Sequence, residues 1–155
     1  MGRFFRSNDQ PEDRRGPPNW RGLPKGRRVL VEHRDPLSRG ILERRLRASG
    51  YRAVSCAGPA GPGKKVSCPL LRQEPCPAVE GADAIVSGLD FRHDHNRLIA
   101  ARIARARPDC PLFLDTPDNV ADEWGTSIDH EPVYRMTAPG VIRKLDAMFA
   151  ESSES

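Results

Sequence analysis

The chain has 155 residues, 37% of them apolar and 6% aromatic, with a net charge of +4, which suits one modest aliphatic core. No stretch approaches the roughly 18 apolar residues of a membrane helix, and Phe4-Phe5 is too short for the apolar part of a secretory signal. A cytoplasmic protein with reduced cysteines is therefore expected.

The charge is uneven. Residues 1–28 hold eight Lys/Arg against three acids, and the rest of the chain holds 17 against 18. Residues 1–27, rich in Arg, Pro and Gly and without apolar period, read as a disordered basic tail. Through charge, with Phe4, Phe5 and Trp20 for stacking, such a tail can touch nucleic acid or an anionic surface, although a solubilising extension is the simpler reading.

Val29-Leu30-Val31 is a short β-run of the kind covered on both faces. Asp35-Pro36 follows as N-cap and first helical residue, and Leu37, Ile41, Leu42 and Leu46 trace the apolar face of a helix ended by Gly50. Tyr51 to Cys56 reads as a second strand. Residues 57–67 are a Gly/Pro loop, and the prolines between Cys68 and Glu80 allow only a helical turn or two. Ala82 to Leu89 is a third strand, and Asp94 to Arg107 a helix with Leu98, Ile99 and Ile103 inward. Pro111 to Thr116 is a fourth strand, residues 118–125 a weak helix, and Pro132 to Met136 a fifth strand. Pro139 to Ala150 is a helix with Val141, Ile142, Leu145, Met148 and Phe149 along one face, and residues 151–155 are a polar tail. Strands alternating with helices imply a doubly wound, five-stranded parallel sheet whose chemistry sits at the carboxyl ends of the strands.

The order and spacing of VLVEHRDP, GYRAV, PLFLDTP and TAPGVIRKLDAMF make residues 28–150 resemble a response-regulator receiver domain, of flavodoxin-like topology. The resemblance implies a corner where two acids after the first strand bind Mg²⁺ beside a phosphate-accepting aspartate on the third. Here those positions are His33, Arg34 and Gly88. Thr116 matches the hydroxyl residue after strand four, and Arg135 stands where a lysine is expected. An imidazole and a guanidinium do not hold Mg²⁺, and Gly88 has no nucleophile, so phosphotransfer is not expected. Asp90, two residues on, is a remote substitute whose simpler role is to cap its loop. The resemblance also implies signalling through the face of strands four and five, with Phe113, Tyr134 and Val141 meeting a partner.

The segment 56–80 departs from the regular helix that the resemblance implies. Its Cys56, Cys68 and Cys76 lack the Cys-x₂₋₄-Cys spacing of zinc knuckles. They can still converge on zinc or another metal, with His33, His93 or His95 as a fourth ligand, or form a disulfide, or remain plain thiols. Cys110 belongs to the other end of the sheet. No phosphate loop is present, and Cys56 with His33 lacks the oxyanion hole of a thiol enzyme. The expectation is a non-enzymatic pseudo-receiver, without cofactor, acting as an adaptor on a protein partner or a second copy of itself. The alternative is a redox- or metal-responsive sensor built on the three cysteines.

Overall fold

The computed structural model describes residues 18–59, 68–116, 132–134 and 138–153. The first strand, β1 (Arg28–His33), has four consecutive buried residues, Val29 to Glu32, as a central parallel strand requires. Helix α1 (Pro36–Ala48) starts where Asp35 accepts from the Ser38 backbone N–H at 2.9 Å and from its hydroxyl at 2.6 Å, closing the orphan donors of its first turn. It ends before Gly50, whose φ of +88° is left-handed, the conformation a glycine allows after a helix. Next come β2 (Arg52–Cys56), a 3₁₀ turn (Pro69–Arg72), α2 (Pro77–Gly81), β3 (Ala84–Gly88) and α3 (Asp94–Ala106). Then follow β4 (Leu112–Thr116), the short β5 (Pro132–Tyr134) and α4 (Ala138–Ser153). All pairings are parallel, in the order β2-β1-β3-β4-β5.

Strand alternation divides the core between the faces of this sheet. Val29, Val31, Val86 and Phe113 pack with Leu46 of α1 and Val141 and Leu145 of α4. Leu30, Ile85, Leu112 and Leu114 pack with Val79 of α2 and Ile99 and Ile103 of α3. The segment 68–81 is pinned to this second face by arginines of α3 and its end. Arg102 donates to the Leu70 carbonyl, and Arg107 donates to the carbonyls of Val79 at 2.8 Å and Glu80 at 2.6 Å, satisfying acceptors that the end of a helix leaves open.

Four expectations need correction. The fold begins before residue 28. Trp20 is buried in the second core, donates through Nε1 to the Ala78 carbonyl at 3.0 Å, and lies so close to Gly81 that a Cβ there would meet its ring at 2.3 Å. It is therefore no stacking group on a tail; residues 1–17 lie outside the described residues. On α1, Leu37 is 68% exposed and Ile41 41%, because only Leu42 and Leu46 reach the core. Leu98 on α3 is likewise exposed, with Ile99, Ala100 and Ile103 inward. Helix α4 runs on to Ser153 into the segment read as a polar tail. The weak helix at 118–125 falls outside the described residues. Among those residues no helix is long and apolar enough to cross a membrane.

Candidate functional site

Two neighbouring residues of β1 lead to opposite faces at the carboxyl end of the sheet. His33 pairs in register with Gly88 of β3, and alternation aims it to the side of Val29 and Val31. Its imidazole fills the space over the glycine: a Cβ at Gly88 would lie 2.4 Å from His33 Cδ2 and 2.9 Å from Nε2. His33 Nδ1 accepts from the Asp35 N–H at 3.1 Å, which places any proton of the neutral ring on Nε2. Asp115 lies one residue past Leu114, the partner of Ser87, so it falls level with Gly88. Burial raises its pKa, and the charge of His33 opposes that rise. Arg34 turns away and donates to the Pro59 carbonyl at 3.1 Å.

Asp90 is already engaged. It accepts from the Arg92 N–H and Nε at 3.0 Å and from Nη2 at 2.7 Å, and the Arg92 side-chain bonds, ahead of all other causes, pull its pKa down to about 2. It is a loop cap with a guanidinium across it. His93 and His95 are exposed and stack with 5.5 Å between ring centroids, outside the corner.

On the other face Glu32 pairs with Cys56 of β2 and with Ser87 of β3. In parallel strands, register partners point the same way, so Cys56, Glu32 and Ser87 form one row beside Leu30 and Ile85. Glu32 is 4% exposed, its Oε1 has no hydrogen-bond partner, and burial raises its pKa to about 7. Cys76, buried, and Cys68, partly buried, pack in the core on this side of the sheet, which includes Leu30 and Ile85. Each precedes a short helical element and a proline: Cys68-Pro69-Leu70-Leu71 before the 3₁₀ turn and Cys76-Pro77-Ala78-Val79 before α2.

Burial is the largest influence on all three thiols and raises their pKa values. The Glu32 charge raises all three further, and Cys76 adds to the rise at both Cys56 and Cys68. Backbone N–H groups oppose the rise, from Gly58 at Cys56, from Leu71 and Leu70 at Cys68, and from Val79 and Ala78 at Cys76, without overcoming it. All three are free thiols. Protonated thiols attack peroxide slowly, so the group is poorly disposed to oxidation as it stands. Cys110 is buried on its own by the Ala82 carbonyl.

Cys56, Cys68 and Cys76 thus share one side of the sheet, each within reach of the Glu32 charge, while His33 lies on the other side; among the described residues no three His, Cys, Asp or Glu side chains are placed to hold a metal ion. Glu32 was passed over in the sequence, although an acid ending a Val-Leu-Val run was its signal. Phe113 and Val141 are corrected as partner-facing residues: at 3% and 4% exposure they are core, between the sheet and α4. Thr116 and Tyr134 end β4 and β5, with only their backbone described, and Arg135 lies outside the described residues.

The strand order, with β1 between β2 and β3, is that of a flavodoxin-like sheet. Comparison with solved structures gives the narrower answer. A response regulator from Burkholderia multivorans superposes with a TM-score of 0.56 at 18% identity, covering 80% of this chain and 94% of that one. The fold is that of a receiver domain. A CheY-like receiver domain protein from Methanospirillum hungatei matches with a TM-score of 0.55 at 12% identity, over 83% of this chain and 97% of that one. A streptococcal protein, described as one of a family of redox sensors evolved from two-component response regulators, matches with a TM-score of 0.56 at 12% identity, over 83% of this chain and 53% of that one. No family model matches the chain, and no curated protein matches it in sequence.

Proposed function

We propose that this receiver-like domain is a regulatory module of signal transduction that works through protein contact and without phosphorylation. Its scaffold in this reading is the doubly wound, five-stranded receiver sheet. The single observation that supports it most is His33 lying over Gly88, where a Cβ would be 2.4 Å from the imidazole. The place from which a phosphate-accepting side chain would grow is taken by a ring. An acyl phosphate needs a carboxylate nucleophile and a metal to offset phosphoryl charge, and the corner supplies His33 and Arg34 instead. Exposed Leu37 and Ile41, beside a shallow groove of about 350 Å³ lined by Pro36, Gly40 and Arg44, offer α1 as apolar surface for a partner.

The test is incubation with Mg²⁺ and acetyl phosphate or beryllofluoride, read by intact mass and amide NMR shifts. Unchanged mass and spectra are expected. An adduct or shifts at the corner that Asp90→Asn removes would overturn the reading.

A second reading, a thiol-based sensor, is supported by Cys56, Cys68 and Cys76 lying on one side of the sheet, each within reach of the Glu32 charge. The streptococcal redox sensors are a precedent for sensing on this scaffold. In either reading the chain is not an enzyme.

A further inference from the structure

Helix α1 carries two apolar rows. Leu42 and Leu46 reach the core, whereas Leu37, 68% exposed, and Ile41, 41% exposed, point outward, and exposed Arg44 and Ala48 continue that outer line. Positions 37, 41, 44 and 48 follow the alternating four-and-three spacing of a heptad seam, the row that one helix offers to another. Gly40 lies beside the seam in the groove lined by Pro36, Leu37 and Arg44, and a Cβ built on it would meet nothing within 4 Å. Alanine would fit there and would favour the helix, because glycine is the costlier residue in a helix interior. Nothing inside the domain calls for the glycine; an open groove floor serves a backbone or side chain that arrives from outside.

The charges along this row have one sign. Glu43, the one acid of the helix, is occupied: Arg47 pairs with it and the Ser55 hydroxyl donates to it at 2.8 Å. Arg44 and Arg45 are exposed and, among the described residues, stand in no ion pair. A second copy laid on this face would set arginine against arginine, a like-charge contact that costs binding. A nucleic acid would answer the arginines and leave Leu37 and Ile41 without a counterpart. A membrane would take the apolar residues but has no ridge to fill the groove over Gly40. The occupant that answers all three features is a helix with an apolar ridge and carboxylates beside it.

We propose that the outer face of α1 binds an acidic amphipathic helix of another protein. The proposal rests on the protein-contact reading and names the chemistry of its partner. The partner's apolar ridge lies against Leu37 and Ile41 and enters the groove over Gly40, and its carboxylates meet Arg44 and Arg45, whose guanidinium groups can each hold one by two parallel bonds. The arginines stand toward the C-terminal end of α1 and the apolar pair toward its start. An antiparallel partner therefore fits best, because it brings its own first turn, where carboxylates are most favoured, to the arginine end.

The test titrates the full chain with a synthetic peptide of about three heptads, leucine on the seam and glutamate on both flanks, followed by amide NMR and circular dichroism. Shifts should fall on α1 while the peptide gains helix. Leu37→Glu with Ile41→Glu, both at exposed positions, should abolish binding and leave the urea midpoint unchanged. Arg44→Glu with Arg45→Glu should weaken binding about tenfold or more. Gly40→Ala should raise the urea midpoint and yet weaken the peptide, a pair of signs that a purely structural glycine would not give. No shift at about 1 mM peptide, or equal binding of the same peptide with lysine for glutamate, overturns the site. Shifts on α1 with phosphatidylserine vesicles and none with the peptide give the face to a membrane and overturn it too. Failure of the peptide leaves the phosphorylation-free reading standing, whereas an acetyl phosphate adduct in protein that still binds the peptide overturns that reading and keeps the site.

Discussion

At the carboxyl end of the sheet, one face is settled and the other is not, and consecutive residues of β1 feed the two. On the α1/α4 side His33 covers Gly88, its Nδ1 is bound by the Asp35 N–H, Arg34 is tied to Pro59, and Asp90 is held by Arg92. On the α2/α3 side Glu32 is buried with Oε1 unpartnered among three protonated thiols. The corner that resembles a receiver's reaction centre is the one whose groups have found partners within the chain. The opposite face keeps the unmet electrostatic demand. Violations of polar satisfaction in a native fold concentrate where something binds, so the comparison moves the search for a thiol-based response across the sheet.

The largest expected effect asks whether the unsettled face is firmly built. Trp20 roofs it, hydrogen-bonded to Ala78 and pressed on Gly81. Trp20→Ala should cost about 3–5 kcal/mol, as loss of a buried large ring does, measured by urea unfolding of the full chain. A loss below about 1 kcal/mol, the size of a surface change, would mean that residues 18–27 do not belong to the fold and that the cover over the thiols is loose.

How much of this could be read from the residues differs by element. The β1 strand and start of α1 were legible because Val-Leu-Val and Asp35-Pro36 act locally. The exposure of Leu37 and Leu98 was not, since periodicity marks a stripe on a helix without saying how far along it the sheet reaches. At the corner, the missing carboxylates were legible residue by residue. That His33 lies over Gly88 depends on the β1–β3 register, which residue types alone leave open. That the three thiols share one side of the sheet was open for a similar reason: Arg102, Arg107 and Trp20, distant in sequence, fix the segment that carries Cys68 and Cys76. Glu32 was legible in kind, as an acid in a strand otherwise apolar, and was overshadowed by the two positions after it.

A second prediction sharpens the contrast through pH. A carboxyl whose pKa rises on folding holds its proton more tightly in the native chain, so the native state gains stability that is complete below the unfolded pKa and lost as pH rises through the folded one. For Glu32 that window runs from 4.5 to about 7, and the shift corresponds to about 3 kcal/mol. Metal-free, reduced protein should therefore lose roughly that much stability in urea between about pH 5 and about pH 8. Cys56, Cys68 and Cys76, which face Glu32, stay protonated across the window. Glu32→Gln should flatten the slope, and an unchanged slope in that variant would place the titration elsewhere and remove the asymmetry between the faces.

The smallest effect probes the settled face. Adding a methyl at Gly88 drives a carbon to 2.4 Å from the His33 ring, nearer than non-bonded atoms tolerate, so Gly88→Ala should cost about 1–3 kcal/mol by overpacking. The backbone of Gly88 is not left-handed, so the cost comes from the ring and not from the backbone. In a His33→Ala background the same substitution should be nearly neutral, giving a coupling of about 1 kcal/mol or more in a double-mutant cycle read by urea unfolding. Additive costs would mean that the ring swings aside at little expense. The corner would then be only lightly closed, and a phosphate-accepting side chain at residue 88 would have room to stand where the imidazole now lies.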